Sequence, residues 1–318
     1  MSIEYRLTLD ADYDHEAVVA IAHAIRRDDH ISVEGLDDWE LTQRNAGRLS
    51  GRWLASLDSS IVGTASFGHS PWFDSDLMFV HVMVHPDCQG LGYGSGLLQR
   101  AEASAHGHGV RRLLGHAEES DTRTLGFLAR SGYDEIDRGW RSILDLDAFD
   151  PSSWREMIEI VRVGGIRFAT VASLRARRAD WQVELRRLYG DLEADVPTRL
   201  DLLEMPIEDF EAIVLGRQLL ADGFFVALDG DTMVGLTEPQ LVDGDPSALS
   251  QSLTGVRSGY RGRGIAVALK AVSATWAKAQ GYRSIRTHNA QSNVPMLAVN
   301  DRLGFERDVA QVEVLKTL

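Results

Sequence analysis

A single cysteine, Cys88, stands among 318 residues, so no intramolecular disulfide framework can hold this chain together. Basic residues are also scarce: 33 lysines and arginines face 47 aspartates and glutamates, for a formal net charge of −14. That balance repels phosphate backbones and argues against a nucleic-acid partner. No run of about 18 apolar residues occurs, so no membrane-spanning helix is expected. The opening Met1-Ser2-Ile3-Glu4-Tyr5 lacks the charged and apolar segments of a signal peptide. These shortages imply a cytoplasmic protein with neither membrane nor nucleic-acid partners. What is present suits a globular chain: 44% hydrophobic and 25% charged residues, at a length comfortable for two domains of about 150 residues.

The first positive signal is an internal duplication. "QGLGYG" at 89–94 and "RGRGIA" at 261–266 are separated by 261 − 89 = 172 residues. The same offset pairs Val84 with Val256, Leu97 with Leu269, Gly109 with Gly281, His116 with His288 and Gly132 with Gly304. Upstream, Ile61-Val62-Gly63 meets Met233-Val234-Gly235. A repeat this long is a pair of domains. The boundaries read as 1–148 for the first, a linker helix over 149–164, and 165–318 for the second.

Both halves follow one order of elements. In the first, a strand over Tyr5–Leu9 precedes helices over Asp14–Arg27 and Asp37–Arg48. A hairpin (Trp53–Leu57, Ile61–Phe67) and a strand (Leu77–Val84) lead into the glycine turn and its helix. A strand over Arg111–His116, a helix over Asp121–Arg130 and two closing strands over Tyr133–Leu146 finish the half. Ser153 and Glu156 have capping-box spacing at the start of the linker helix, which Gly164-Gly165 end. The second half repeats the order with a strand over Ile166–Val171, helices over Asp180–Tyr189 and Ile207–Leu215, and a hairpin around Asp229-Gly230-Asp231. A polar excursion through Asp243–Pro246 precedes a strand over Ser250–Val256. Each half is expected to bury its own separate core.

A strand, closely spaced glycines and a helix start make an anion site, because the first-turn amides have no partners and the helix dipole favours negative charge. Neither copy has the G-x-G-x-x-G spacing of a dinucleotide fold, and no Walker lysine-serine pair follows.

"VHPDCQGLGYGSGLL" and "VRSGYRGRGIAVALK" resemble the acetyl-CoA pyrophosphate loop of the GNAT superfamily, the GCN5-related N-acetyltransferases. The pattern Gln/Arg-x-x-Gly-x-Gly/Ala is met by Gln89, Gly92, Gly94 and by Arg261, Gly264, Ala266. "LARSGYDEI" and "NDRLGFERD" resemble the segment after the fourth helix of that family. The resemblance implies an α/β (α+β) fold class: two consecutive GNAT folds, each a mixed, mainly antiparallel twisted sheet flanked by helices. It implies acetyl-CoA as co-substrate, no metal, and a primary amine of a small molecule as acceptor. A non-catalytic acetyl-CoA-binding or regulatory module, and a protein lysine or N-terminal acetyltransferase, remain open. The chain is expected as a monomer acting as a pseudo-dimer, or as a homodimer.

By the same resemblance, Val84 and Val256 end a splayed strand whose backbone holds the pantetheine arm. The backbone of Gln89, Gly90, Gly92, Gly94 and Ser95, and of Arg261, Gly262, Gly264 and Ala266, holds the pyrophosphate. An asparagine of the family stands twelve residues before the glycine-following aromatic. It is Asn293 in the second half (305 − 12) but Asp121 in the first (133 − 12), so the second half is better kept. The tyrosine acid of the family falls on Leu128 and Asn300. Leu128 can donate nothing, whereas Asn300 can donate a hydrogen bond to a thiolate but is no proton source near neutral pH. Tyr189 or Tyr260 would have to come from elsewhere.

Glu238 ends a hairpin strand where the first half has Ser66, and is the candidate base. Gln251 and Thr254, polar in an apolar strand, suggest the same pocket-lining face. His81 is a weaker candidate base, and His116 and His288 do not by themselves make a metal site. Cys88 is read as incidental, with its side chain toward solvent. Acidic segments (Asp28, Asp29, Glu34; Asp191, Glu193, Asp195, Glu204) would attract an ammonium group.

Overall fold

A computed structural model describes residues 3–8, 15–26 and 31–318. Asp28 and Asp29 lie outside the described residues. The chain divides into two compact units, Met1–Ile136 with Val312–Leu318, and Asp137–Gln311.

Unit 1 opens with β1 (Ile3–Thr8), α1 (His15–Ile25), α2 (Val33–Asn45), β2 (Ser50–Leu57), β3 (Ser60–Gly68) and β4 (Leu77–Val84). The glycine turn leads to α3 (Tyr93–Gly107), followed by β5 (Arg112–Glu118) and α4 (Thr122–Arg130). Strands β1 to β4 are antiparallel neighbours in sequence order, and β4 pairs with β5 in parallel. α3 turns Leu97, Leu98, Ala101 and Ala105 into a core with Phe67, Met78 and Leu113.

Unit 2 takes most of β6 (Asp134–Asp145), then α5 (Arg155–Val163), β7 (Ile166–Thr170), α6 (Val171–Arg177) and α7 (Trp181–Glu193). There follow α8 (Ile207–Asp209), β8 (Phe225–Asp229), β9 (Thr232–Val242), β10 (Asp245–Val256) and α9 (Ile265–Ala279). β11 (Ser284–Ala290), α10 (Val294–Leu303) and β12 (Glu306–Thr317) complete the chain. The sheet of this unit runs β6-β11-β10-β9-β8-β7, with the first half of β12 on the far side of β6. Of the pairs β6–β11, β11–β10, β10–β9, β9–β8 and β8–β7, the β10–β11 pair is parallel and the rest are antiparallel. The strand pairing within each unit is therefore mixed and mainly antiparallel, with helices beside the strands.

Several expectations change. The compact units do not follow the boundaries at 148 and 165, and the halves do not keep separate sets of strands. β6, from the first repeat, pairs with β11 of the second, from Ser284↔Asp145 to Ala290↔Gly139. The end of β12, from the second repeat, joins unit 1: Val312 and Val314 enter its core, and Leu318 N donates to Arg111 O at 2.8 Å. Strand pairing is set by backbone hydrogen bonds that every residue can make, so sequence register does not reveal which copy supplies the partner.

The two closing strands foreseen over 133–146 are one strand, β6. The foreseen capping box at Ser153 is absent: Asp150 accepts from Ser152 N and from both serine hydroxyls, stabilising a turn over Pro151–Trp154 before α5. α5 is packed rather than free, with Val161 in the unit 2 core and Met157 against it. The region 207–215 forms α8 and a π turn, α6 was not foreseen, and the Asp243–Pro246 excursion closes the β9–β10 hairpin.

Candidate active site

The two glycine turns are built alike. In unit 2, Arg257 N donates to Val234 O (2.9 Å) and Arg261 Nε donates to Val256 O (3.0 Å). In unit 1, His85 N donates to Val62 O (2.8 Å) and Gln89 Nε2 donates to Val84 O (3.0 Å). A glutamine and an arginine thus do one job, tying the loop back to its strand end. Gly90, Gly92, Gly262 and Gly264 lie at φ between 74° and 87°, where a side chain is strained. Gly92 and Gly264 cap α3 and α9 with no side-chain hydrogen bond, so the first-turn amides stay available. A Cβ at Gly92 or Gly262 would meet nothing within 4 Å. Open space beside unpaired helix-start amides is the arrangement that suits an anion.

The loops differ in their neighbours. In unit 1, Arg123 Nη1 donates to Gln89 Oε1 at 2.8 Å, and Asp121 caps α4 by accepting from Thr124 N at 2.9 Å. In unit 2, Asn293 caps α10 by accepting from Met296 N at 3.3 Å, and Arg261 pairs with Asp195. Cys88 is half-buried against the unit 1 core and does not point to solvent.

Both hairpins share a bulge after Ala55 and its repeat counterpart Ala227. The β9–β10 ladder has two further irregularities, one between Asp245 and Leu249 and one nearer the glycine turn: Gln251 faces Pro239 and Thr254 faces Thr237, leaving Ser252 and Leu253 opposite Glu238. The corresponding stretch of β3 and β4 pairs without interruption, with Ser66 facing His81. Bulges re-aim side chains and end pairing beside active sites. Here the bulge adjoins the point where β10 leaves β11, since their pairing stops at Gln251↔Thr287.

Glu238 is 1% exposed. Gln240 Nε2 donates to its Oε1 (2.7 Å), and the Tyr189 hydroxyl of α7 donates to its Oε2 (3.1 Å). Burial pushes its carboxyl up to about 7, against the lowering effect of these hydrogen bonds. A carboxylate poised there can exchange a proton near neutral pH. Burial, then the nearby Glu238 and Glu193, hold the Tyr189 hydroxyl well above its ordinary range, so it stays a donor. Tyr260 instead donates to Asp229 Oδ2 at 3.1 Å, and does not join Glu238.

Gln251 and Thr254 do not share the face of Glu238. Thr237 and Glu238 are adjacent and point to opposite sides of β9. Gln251 Nε2 donates to Thr237 Oγ1 (2.8 Å), whose hydroxyl meets Thr254 Oγ1 at 2.7 Å. This set lies on the α9 side, and Glu238 on the α7 side. The acidic stretch from the last turn of α7 onward is largely paired: Asp191 with Arg257 (2.8 Å), Asp195 with Arg261, and Glu204 with Arg186 (3.3 Å). His81 stacks on His116 in unit 1, ring centroids 5.6 Å apart. Among the described residues no group of three or more His, Cys, Asp or Glu can hold a metal ion, and no helix is long and apolar enough to cross a membrane.

Asn300 is buried and belongs to a group the sequence reading missed. Lys270 of α9, 2% exposed, donates to Asn300 Oδ1, and Asn300 Nδ2 donates to Asn289 Oδ1 of β11 at 2.7 Å. Burial pulls the Lys270 amine down to about 7. The available signal was a lysine inside the apolar run Val267-Ala268-Leu269-Lys270-Ala271-Val272, where the first repeat has Leu98.

The acetyltransferase (GNAT) family model matches residues 18–133 and 186–305, so the chain belongs to that family and carries two copies of its domain. It is an acyltransferase of the GNAT type. Among solved structures, a GCN5-related N-acetyltransferase from Sphaerobacter thermophilus is 20% identical, with 99% of this chain and 95% of that one covered and a TM-score of 0.73. A tandem GNAT protein from the clavulanic acid biosynthesis pathway is 18% identical, covering 99% and 98%, with the same TM-score. Likeness at this level of identity is likeness of fold. No curated protein sequence matches the chain.

Proposed function

We propose that unit 2 transfers acetyl from acetyl-CoA to a primary amine of a small molecule. The observation that carries this reading is Glu238, a buried carboxyl with a raised pKa beside the bulge where β10 parts from β11. The co-substrate supplies the thioester. Its diphosphate fits the amides from Arg261 to Ala266, and its arm fits the open edge of β10 that ends at Val256. The acceptor amine approaches from the α7 side, where Glu238 takes a proton from its nitrogen, directly or through water. The neutral nitrogen then bonds to the carbonyl carbon and gives up its surplus proton to water, while the carbon–sulfur bond breaks and its electron pair leaves with sulfur. Asn293 supports the co-substrate end. A base as deep as Glu238 favours a slender amine over a lysine on a folded protein surface.

Unit 1, with Gln89, Gly90, Gly92, Gly94, Ser95 and the strand end Val84, keeps a loop of the same build. It has Ser66 in place of a base, and we assign it a binding role. We read the setting as cytoplasmic and the working state as one chain acting as a pseudo-dimer or as a homodimer. The test is release of free CoA across a panel of small amines. Release with a small amine supports the reading. Acetyl transfer only to protein substrates would replace the acceptor class, and no release with any amine would overturn it.

A further inference from the structure

Lys270, Asn300 and Asn289 come from three elements and form one chain of hydrogen bonds with a forced direction. A protonated lysine amine can only donate, so the side of Asn300 that meets it is the carbonyl Oδ1. The amide nitrogen of Asn300 must then face Asn289, and it meets Oδ1 there at 2.7 Å. Asn289 is left with its Nδ2 as the outward end of the chain, so a buried amine polarises a half-exposed amide donor through one intermediate.

The fold does not require this chain. The same three positions in unit 1 are Leu98, Leu128 and Ala117, all in an apolar core. Burying an amine without a carboxylate is costly, and among the described residues Lys270 makes no ion pair. Its neighbours are Asn300 and the Phe305 ring, whose centroid lies 4.6 Å from Nζ. The nearest acid on α10, Asp301, is exposed and paired with Arg307 at 3.1 Å. A cation kept buried at this cost suits an anion that arrives during the working cycle.

The outward end marks where that anion would sit. β10 and β11 stop pairing at Gln251↔Thr287, where the Thr287 hydroxyl donates to Gln251 O at 3.1 Å. Asn289 lies two residues further along β11, on the same face as Thr287 and beside the opening gap. We propose that the Asn289 amide donates to the departing sulfur of CoA, and that Lys270 and Asn300 are positioning residues that charge and orient that donor. When the carbon–sulfur bond breaks, the electron pair on sulfur is held by the Asn289 N–H, and the thiolate takes a proton from water as it leaves.

This inference rests on the reading of unit 2 as an acetyl-CoA site, and the experiment separates the two. CoA, the thiol product, is bound to the full-length protein by calorimetry, and its thiolate is followed by ultraviolet absorbance across pH. The parent should raise the acid dissociation constant of the bound thiol about tenfold, one pH unit, over free CoA. Asn289→Ala should abolish that rise while CoA still binds. The double variant Lys270→Leu with Asn300→Leu copies the apolar pair of unit 1, so it should fold and lose the rise as well. If the bound thiol titrates alike in the parent and in Asn289→Ala, the inference is overturned and the site reading survives. If the parent binds no CoA, both are overturned together.

Discussion

The two units share a loop and differ in what stands behind it. Behind the first loop lie Leu98, Leu128 and Ala117; behind the second lie Lys270, Asn300 and Asn289. Across the hairpin, Ser66 faces His81 in an unbroken ladder, whereas Glu238 faces a bulge and accepts hydrogen bonds from Tyr189 and Gln240. One backbone plan thus supports an apolar version and a polar version of itself. Binding a diphosphate needs only amides and small residues, which both copies keep. Taking a proton from an amine needs a buried carboxyl at that place, and only unit 2 has one, Glu238 against Ser66.

The sharpest way to break this contrast is to remove the base. Glu238→Gln should lower turnover about a hundredfold to ten-thousandfold, the usual range for a general base, and leave acetyl-CoA affinity near that of the parent. Higher pH should partly restore the variant, because more of the amine is already neutral. Ser66→Ala should leave turnover unchanged. Equal turnover of Glu238→Gln and the parent at every pH would show that the base lies elsewhere.

The same substitution should reshape stability against pH. The Glu238 carboxyl is raised from 4.5 to about 7 in the folded state, so between these values the folded chain binds more protons than the unfolded one. Stability therefore falls as pH rises through that window, by on the order of 3 kcal/mol from this group. Lys270 is lowered from 10.5 to about 7, so its contribution runs the other way, with stability rising from about pH 7 toward 10.5. Denaturant melts across pH should show Glu238→Gln flattening the acid-side fall and Lys270→Leu flattening the alkaline rise.

The loops themselves are compared by adding a carboxylate to each. If the unit 2 loop, with Asn293 beside it where unit 1 has Asp121, is the tighter acetyl-CoA site, Gly264→Glu should weaken that site by about tenfold or more, some 1.4 kcal/mol. Gly92→Glu should touch only the weaker site. Calorimetry of both variants checks the assignment, and loss of the tight site in Gly92→Glu would reverse it. The smallest effect should come from Asp195→Ala. It removes a half-exposed ion pair with Arg261, and melts should move by about 1 kcal/mol or less.

The sequence by itself determined the repeat, the two loops, and most element positions; β4 runs over Leu77–Val84 as its apolar run implies. Glycine turns and apolar periodicity are local, and local pattern carries them. The position of Asn300 was legible by counting, and so was the contrast of Glu238 with Ser66. Tertiary structure alone decided that β6 pairs with β11 and that β12 ends in unit 1, because backbone ladders carry no label for the copy they come from. It also decided that Tyr189 reaches Glu238 while Tyr260 does not, since 49 residues separate Tyr189 from its partner. Lys270 shows the limit most clearly. In sequence it is a lysine on a helix, and only the packing of α9, α10 and β11 buries its amine against Asn300 and gives the chain its direction. Burial is a property of what surrounds a residue, and distant parts of the chain supply those surroundings.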